Sequence, residues 1–373
     1  MVISASKVLI GSSLVSRAIE IENGKISSIN ETNEIDDRII IPGFFDIHTH
    51  GGDMIDVNHI ESYEDVNKLS KFFASKGVTS FLASVMTDTK ETTERILKIL
   101  KEAIDRGLDG SRLEGIHLEG PFLSLEYKGA MAPELILDGD PKLFDYYQEI
   151  SGNNILYITI APEGKCALDL IKHIKSEDRC KVSIGHSAAE YETAIEAIEN
   201  GAVASTHTFN AMKLFHMHRP AISGAVLERD EVYTEVIADG FHLHPATVRL
   251  ILKTKGNKKV IAITDSIMAA GLPDGNYKLG VNDVVVINGD AQLLNGVRAG
   301  STLTMDRAMK NIIKFTQCDL PYVSPLLSEN AATMLGLNRG AIKVGYPADF
   351  VVLDKDLNLL ETYVEGRKVY TKE

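Results

Sequence analysis

Residues 182–207 read VSIGHSAAEYETAIEAIENGAVASTH, and this stretch decides the fold. It opens on a strand-like run, Val182-Ser183-Ile184-Gly185, that stops at His186. A segment with helical spacing follows from Glu190 to Asn200, and Gly201 stands where such a helix would close. A second run, Val203-Ala204-Ser205-Thr206, then stops at His207, 21 residues after the first, which is about the length of one βα unit. The same alternation continues outward in both directions. Strand-like runs also end near His48, Ser84, Glu119, Ala161, Asp239 and Asp265, with helix-period segments at 64–76, 90–106 and 245–255, and with Gly77 and Gly107 placed to close two of them. Eight strand signals alternating with helices over about 220 residues predict an α/β fold, a (β/α)8 TIM barrel. A doubly wound sheet is the runner-up, but it would not need eight strands.

The ends of the chain read differently. Residues 7–41 give short apolar runs around an Asn23-Gly24 turn, and the C-terminal runs 348–353, 360–364 and 368–370 surround Glu365-Gly366. The expected organisation is a small β-sandwich domain from 1–43 and 340–373, enclosing a catalytic barrel at 44–339. Residues 271–300 are rich in Gly, Asn and Asp around a β-like core, Asp283–Ile287, and are expected to form a β-hairpin insertion after the eighth strand.

Composition narrows the function classes. The chain has 373 residues, 52 acidic and 39 basic, for a net charge of −13. That balance argues against a nucleic-acid or anionic-membrane partner, since both need clustered Lys and Arg. Three scattered cysteines, Cys166, Cys180 and Cys318, make no disulfide framework and no thiolate metal site. With no leader-like start and no run of transmembrane length, the expectation is a soluble cytoplasmic protein.

Active sites of such barrels lie at the C-terminal ends of the strands. Five of the eight predicted strands end in His, Glu or Asp at or beside the last residue, and a sixth, Val232–Asp239, is followed by His242. In Phe44-Phe45-Asp46-Ile47-His48-Thr49-His50 the two imidazoles are two residues apart, so a strand aims both to one side. Such a pair grips divalent metals, although HxH alone is equally at home in a polar loop. In Gly115-Ile116-His117-Leu118-Glu119-Gly120-Pro121 a carboxylate sits at a strand tip; His117 supports the site from behind or is an ordinary barrel residue. His186 or His207 alone would more often be a hydrogen-bonded structural histidine. Asp265 closes the nearly unbroken apolar strand Val260–Thr264. Taken together, four histidines and two carboxylates at one end of one barrel form a metal-site constellation, with more donors than a single tetrahedral ion needs. His59 and His173 lack such company and read as structural.

These segments also carry a resemblance. PGFFDIHTHGG, HLEGPF, IGHSAA, THTFNAM, IADGFHLHP, AITDSIMAAGLPDG and AGSTLTMDRAM, in this order over nearly the whole chain, resemble the N-acetylglucosamine-6-phosphate deacetylase family of the amidohydrolase superfamily. The resemblance implies a metal-bearing barrel with a small β-sandwich. It implies that Glu119, His186 and His207 hold the main metal, that His48 and His50 fill the first-strand pair of a two-metal site bridged by Glu119, and that Asp265 is a metal ligand and the catalytic acid/base. His242 would contact the acetamido group and the Asn210-Ala211 backbone the phosphate, with Ala130 and Ala299 also in the substrate site. The fourth strand, Asn154–Ile160, contains no Lys, whereas hydantoinase-like relatives place a carbamylated Lys there; this points to the deacetylase branch.

Two positions depart from the family pattern. After Lys128-Gly129-Ala130 the family has a His, and here it is Met131. Where the family's phosphate-binding Arg opens an Arg-Glu-Pro triplet, this chain reads His218-Arg219-Pro220, so His218 takes the Arg position and Arg219 is displaced by one. A thioether donates no hydrogen bond, and imidazole clamps phosphate less well than guanidinium. The expected activity is metal-dependent hydrolysis of N-acetylglucosamine 6-phosphate to glucosamine 6-phosphate and acetate in amino-sugar catabolism, with one or two divalent ions, Zn or Fe ahead of Mn or Co; the resemblance also implies a homodimer in which the 215–220 loop reaches a neighbouring subunit's phosphate site. Met131 and His218 keep open a related substrate, N-acetylgalactosamine 6-phosphate or an unphosphorylated N-acyl amino sugar. A cyclic-amide or deaminase reaction, disfavoured by the missing fourth-strand Lys and the Leu118-Glu119-Gly120-Pro121 motif, and a non-catalytic scaffold are the remaining alternatives.

Overall fold

The structure, a computed structural model, describes residues 1–33 and 36–372. Eight parallel strands follow one another around a barrel: Phe44–Thr49, Val78–Met86, Arg112–Glu119, Ile155–Ile160, Lys181–Ile184, Ala202–Ser205, Tyr233–Ile237 and Val260–Ile263. Helices cover them outside, so the strands are buried on both faces and their runs read as mainly apolar; every residue of Val78–Met86 is buried. The helix Lys90–Arg106 shows why a covering element forms. Thr89 accepts the Thr92 N–H at its start, Ile96, Leu97, Leu100 and Ala103 make one buried stripe, and Gly107, at φ 75°, ends it. Gly77 serves a different purpose: the preceding helix ends at Ala74 with Ser75 as its cap, and a Cβ on Gly77 would lie 2.6 Å from the Phe44 ring.

The barrel closes at a short seam. The Asp265 N–H donates to the His48 carbonyl (2.8 Å) and the His50 N–H to the Ser266 carbonyl (2.8 Å), while the Thr49 and Ser266 hydroxyls meet at 2.8 Å.

Strands from both termini make a smaller unit, one seven-stranded sheet in the order 367–371, 359–364, 350–353, 39–42, 2–10, 13–22, 25–31. The sheet curls over itself, so that Ile3, Val8, Ile19 and Ile26 pack in one core with Phe350, Val352 and Tyr363. Backbone bonds between Ile26 and the 345–346 turn join the two wings. Arg339 ties this unit to the barrel. It pairs with Glu114 of the third barrel strand, donates to Ser80 Oγ of the second (2.8 Å), and reaches Asp349 Oδ2 (3.3 Å) at the edge of the smaller unit.

Between the eighth strand and the helix Met305–Thr316 lies an antiparallel meander, Gly275–Leu279, Asn282–Ile287 and Asp290–Leu293. It has a third strand where a hairpin was expected, because Asn288-Gly289, both at positive φ (53° and 81°), turn the chain back once more. Its apolar side packs over Met86, Leu123 and Met131.

Candidate metal centre

His48 lies on the first barrel strand and His50 one residue past its end; Glu119 is the last residue of the third strand. The other three stand two residues beyond their strands, after Ile184, Ser205 and Ile263. At His186, His207 and Asp265 the backbone enters the left-handed region (φ 46°, 29° and 48°), which turns each side chain inward. A strand-alternation argument therefore explains the first-strand pair but not these three.

All six groups converge, buried. Glu119 Oε1 lies 3.1 Å from His186 Nε2, 3.2 Å from His207 Nε2 and 3.3 Å from His48 Nε2, and Oε2 lies 3.2 Å from His50 Nε2. Asp265 Oδ1 is 3.2 Å from His50 Nε2 and 3.6 Å from His48 Nε2. The donors fall into two groups able to hold an ion, Glu119–His186–His207 and His48–His50–Asp265, with Glu119 facing both.

The orientation of the rings shows that a cation fits. His186 Nδ1–H donates to the Tyr127 carbonyl (2.8 Å), His207 Nδ1–H to the Asn210 carbonyl (3.1 Å), and His50 Nδ1–H to the Ser84 carbonyl (3.2 Å). His48 Nδ1–H donates to the Glu235 carboxylate (3.0 Å). With the Nδ1 protons so committed, the Nε2 lone pairs point inward, 3.0 Å apart for His186 and His207 and 3.2 Å apart for His48 and His50. Lone pairs held that close call for a positive charge between them. The local field agrees: burial works against an imidazolium at His50, yet Glu119 and Asp265 outweigh it and push the pKa up to about 9. At His48 burial is likewise overcome, by Glu119, Glu235 and Asp265. Burial also raises Glu119 and Asp265, but the neighbouring imidazoles hold both below the ordinary carboxyl range.

His117 stays outside the centre. Its two nitrogens are taken by Ser84 Oγ and Thr159 Oγ1 (2.9 Å each), and burial, reinforced by the charge of His48, keeps it neutral. His59 pairs with Asp56 and His173 with Asp145, away from the centre.

The centre opens into a cavity of about 800 Å³, a usual size for a small-molecule site. His242, Asn210, Ala211, Ala130, Met131 and Ala299 line it. His242 Nδ1–H donates to Asp239 Oδ2 (2.6 Å), which leaves Nε2 for the cavity; burial lowers this imidazole, but the Asp239 bond and charge raise it above its ordinary value. His218 and Arg219 do not line this chain's own cavity. They sit in a surface turn closed by backbone bonds between His216 and Arg219, whose tip exposes Leu214, Phe215 and Met217. The Lys and Arg side chains that do line it are Lys128 and Arg298, the latter in a two-pronged pair with Asp290 (3.0 and 3.1 Å). Sequence reasoning passed over Arg298, and also Glu235, a buried carboxylate within an apolar strand.

Residues 39–369 match the profile of the Amidohydrolase family. The chain is 36% identical over 363 residues to N-acetylglucosamine-6-phosphate deacetylase of Bacillus subtilis (strain 168), covering 93% of this chain and 91% of that one. It is 32% identical to N-acetylgalactosamine-6-phosphate deacetylase of Escherichia coli O157:H7, covering 94% and 93%. Among solved structures, a mutant N-acetyl-D-glucosamine-6-phosphate deacetylase from Mycobacterium smegmatis, in complex with N-acetyl-D-glucosamine-6-phosphate, superimposes with a TM-score of 0.94 at 30% identity over 100% of this chain and 99% of that one. On these matches, the chain belongs to the N-acetylglucosamine-6-phosphate deacetylase family of the amidohydrolases.

Proposed function

We propose that this chain is a metal-dependent deacetylase that hydrolyses the acetamido group of N-acetylglucosamine 6-phosphate to acetate and glucosamine 6-phosphate, in amino-sugar catabolism. The observation that carries the reading is a single buried carboxylate, Glu119, facing two groups of ligand atoms at the end of a cavity also lined by Asp265 and His242.

Glu119, His186 and His207 would hold one ion, and His48, His50 and Asp265 a second, with Zn or Fe the preferred metals and Mn or Co compatible with the same donors. When bound, such an ion supplies Lewis acidity, lowering the pKa of water and polarising the amide carbonyl. Asp265 is the catalytic acid/base: its carboxylate accepts the proton of the attacking water and returns it to the departing nitrogen, without which the amine is a poor leaving group. His242, whose pKa Asp239 raises against the effect of burial, would donate from Nε2 in its imidazolium form to the carbonyl oxygen as negative charge develops there. The Asn210-Ala211 backbone, with Lys128 and Arg298, would face the phosphate, and Ala130, Met131 and Ala299 would form the sugar's wall, since all of them line the cavity. In a homodimer, the exposed 214–219 tip would bring His218 and Arg219 to the neighbouring copy's cavity. We assign residues 1–43 and 340–373 to a small β-domain and 44–339 to the catalytic barrel, and place the enzyme in the cytoplasm.

Met131 favours a second reading, a related N-acetylhexosamine as substrate, because it is buried among apolar residues and offers the sugar no hydrogen bond. A panel of N-acetylglucosamine, N-acetylgalactosamine and their 6-phosphates, with acetate release and metal content measured on one preparation, tests both readings. Activity on the first 6-phosphate exceeding all others supports the proposal; release from none of the four refutes it. Asp265→Asn is expected to retain metal and to lose about 10²–10⁴-fold in turnover. Full activity in that variant would remove Asp265 from its role.

A further inference from the structure

Glu235 is fully buried in the seventh barrel strand, and its only ion-pair partner among the described residues is His48. Its Oε2 accepts from His48 Nδ1–H (3.0 Å) and from the backbone N–H of His207 (2.9 Å), and its Oε1 accepts from the Tyr157 hydroxyl (2.6 Å). One carboxylate thus fixes a ring in one ligand group and the left-handed backbone of a residue in the other. The remaining three imidazoles of the centre rest on neutral carbonyls, of Tyr127, Asn210 and Ser84, so His48 alone of the four has a charged acceptor behind it.

A buried charge without a Lys or Arg beside it is costly and persists only where something compensates it. Here the compensation reaches it through the His48 ring, from whatever positive charge the Nε2 side holds. A carboxylate behind a ligating histidine also fixes the tautomer and makes the facing nitrogen a better donor. We propose that Glu235 is the positioning residue of this centre: it joins the two ligand groups, and its charge sets the metal affinity of the His48–His50–Asp265 position specifically. The inference rests on the two-ion reading above.

Glu235→Gln separates charge from shape. The amide oxygen can still accept from His48 and His207, and the Tyr157 hydroxyl can turn to accept from the new NH2. The full chain, wild type and variant, is loaded with Zn²⁺, dialysed, assayed for metal by mass spectrometry, and titrated with a chromogenic chelator. The wild type is expected to hold two ions, and E235Q to hold one firmly while the other weakens about 10–100-fold. Tyr157→Phe, which keeps the charge, should retain both ions. Two ions of wild-type affinity in E235Q would overturn the assignment, and so would equal weakening of both positions, the mark of a general structural defect. A wild type that never takes more than one ion also overturns it, whatever its activity. A wild type that binds two ions and releases no acetate from any substrate of the panel fails the deacetylase reading and leaves the Glu235 test intact.

Discussion

Asp349 sits where the smaller sheet meets the barrel, and its neutralisation should change how stability depends on pH. Burial pushes its pKa up from 3.8 to about 6, against the opposing charge of Arg339 and the bond from the Glu365 N–H (2.7 Å). An acid that holds its proton more tightly folded than unfolded favours the native state while protonated. The advantage shrinks as pH rises from the unfolded value, near 4, through the folded value, and is gone above it. A gap of about two pH units corresponds to about 3 kcal/mol in all, of which about 2 kcal/mol falls between pH 4.5 and 7.5. Asp349→Asn removes the titration while its amide oxygen can still accept from Glu365. Urea unfolding of metal-stripped wild type and variant at four pH values across this window isolates the group, since every other carboxyl and the metal ligands are common to both. The wild-type stability minus that of the variant should fall by about 2 kcal/mol from the acid to the neutral end. A flat difference, or one that rises with pH, would refute the reasoning.

Other outcomes follow from the cavity. Asp239→Asn removes the bond and charge that raise His242, so the alkaline limb of the kcat profile should move to lower pH; an unmoved limb would separate His242 from the rate. Arg298→Leu should raise KM for the 6-phosphate about 10-fold or more while leaving the unphosphorylated sugar unaffected, and steady-state kinetics on the two substrates would show it. Removing metal with a chelator should abolish acetate release and lower Tm, with about 2.7 kcal/mol restored when an ion is supplied at a hundred times its Kd. Calorimetry with and without added zinc measures that restoration.

The barrel was legible because its strands are largely buried on both faces, so most show as a mainly apolar run, clearest in Val260–Ile263 before Asp265. The helix Lys90–Arg106 was legible to the residue, since its stripe and its closing glycine are local signals. The left-handed turns at His186, His207 and Asp265 were not, because no local rule puts a non-glycine residue there; the surrounding packing imposes it. Glu235 was hidden for a related reason. A lone carboxylate in an apolar strand has meaning only once Tyr157 and His48, far away in sequence, are seen around it. That the turn carrying His218 and Arg219 lies outside the chain's own cavity was likewise not legible, because local sequence does not give the direction of a surface turn.

The seam that closes the barrel is built from the backbone of His48, His50, Asp265 and Ser266, and the first three of these also make up one ligand group. The two ligand groups therefore draw on different spans of chain. Glu119, His186 and His207 come from strand ends within 119–207, whereas His48, His50 and Asp265 join the first strand to the end of the eighth. A chain cut short of residue 265 would keep every member of the first group and lack one of the second.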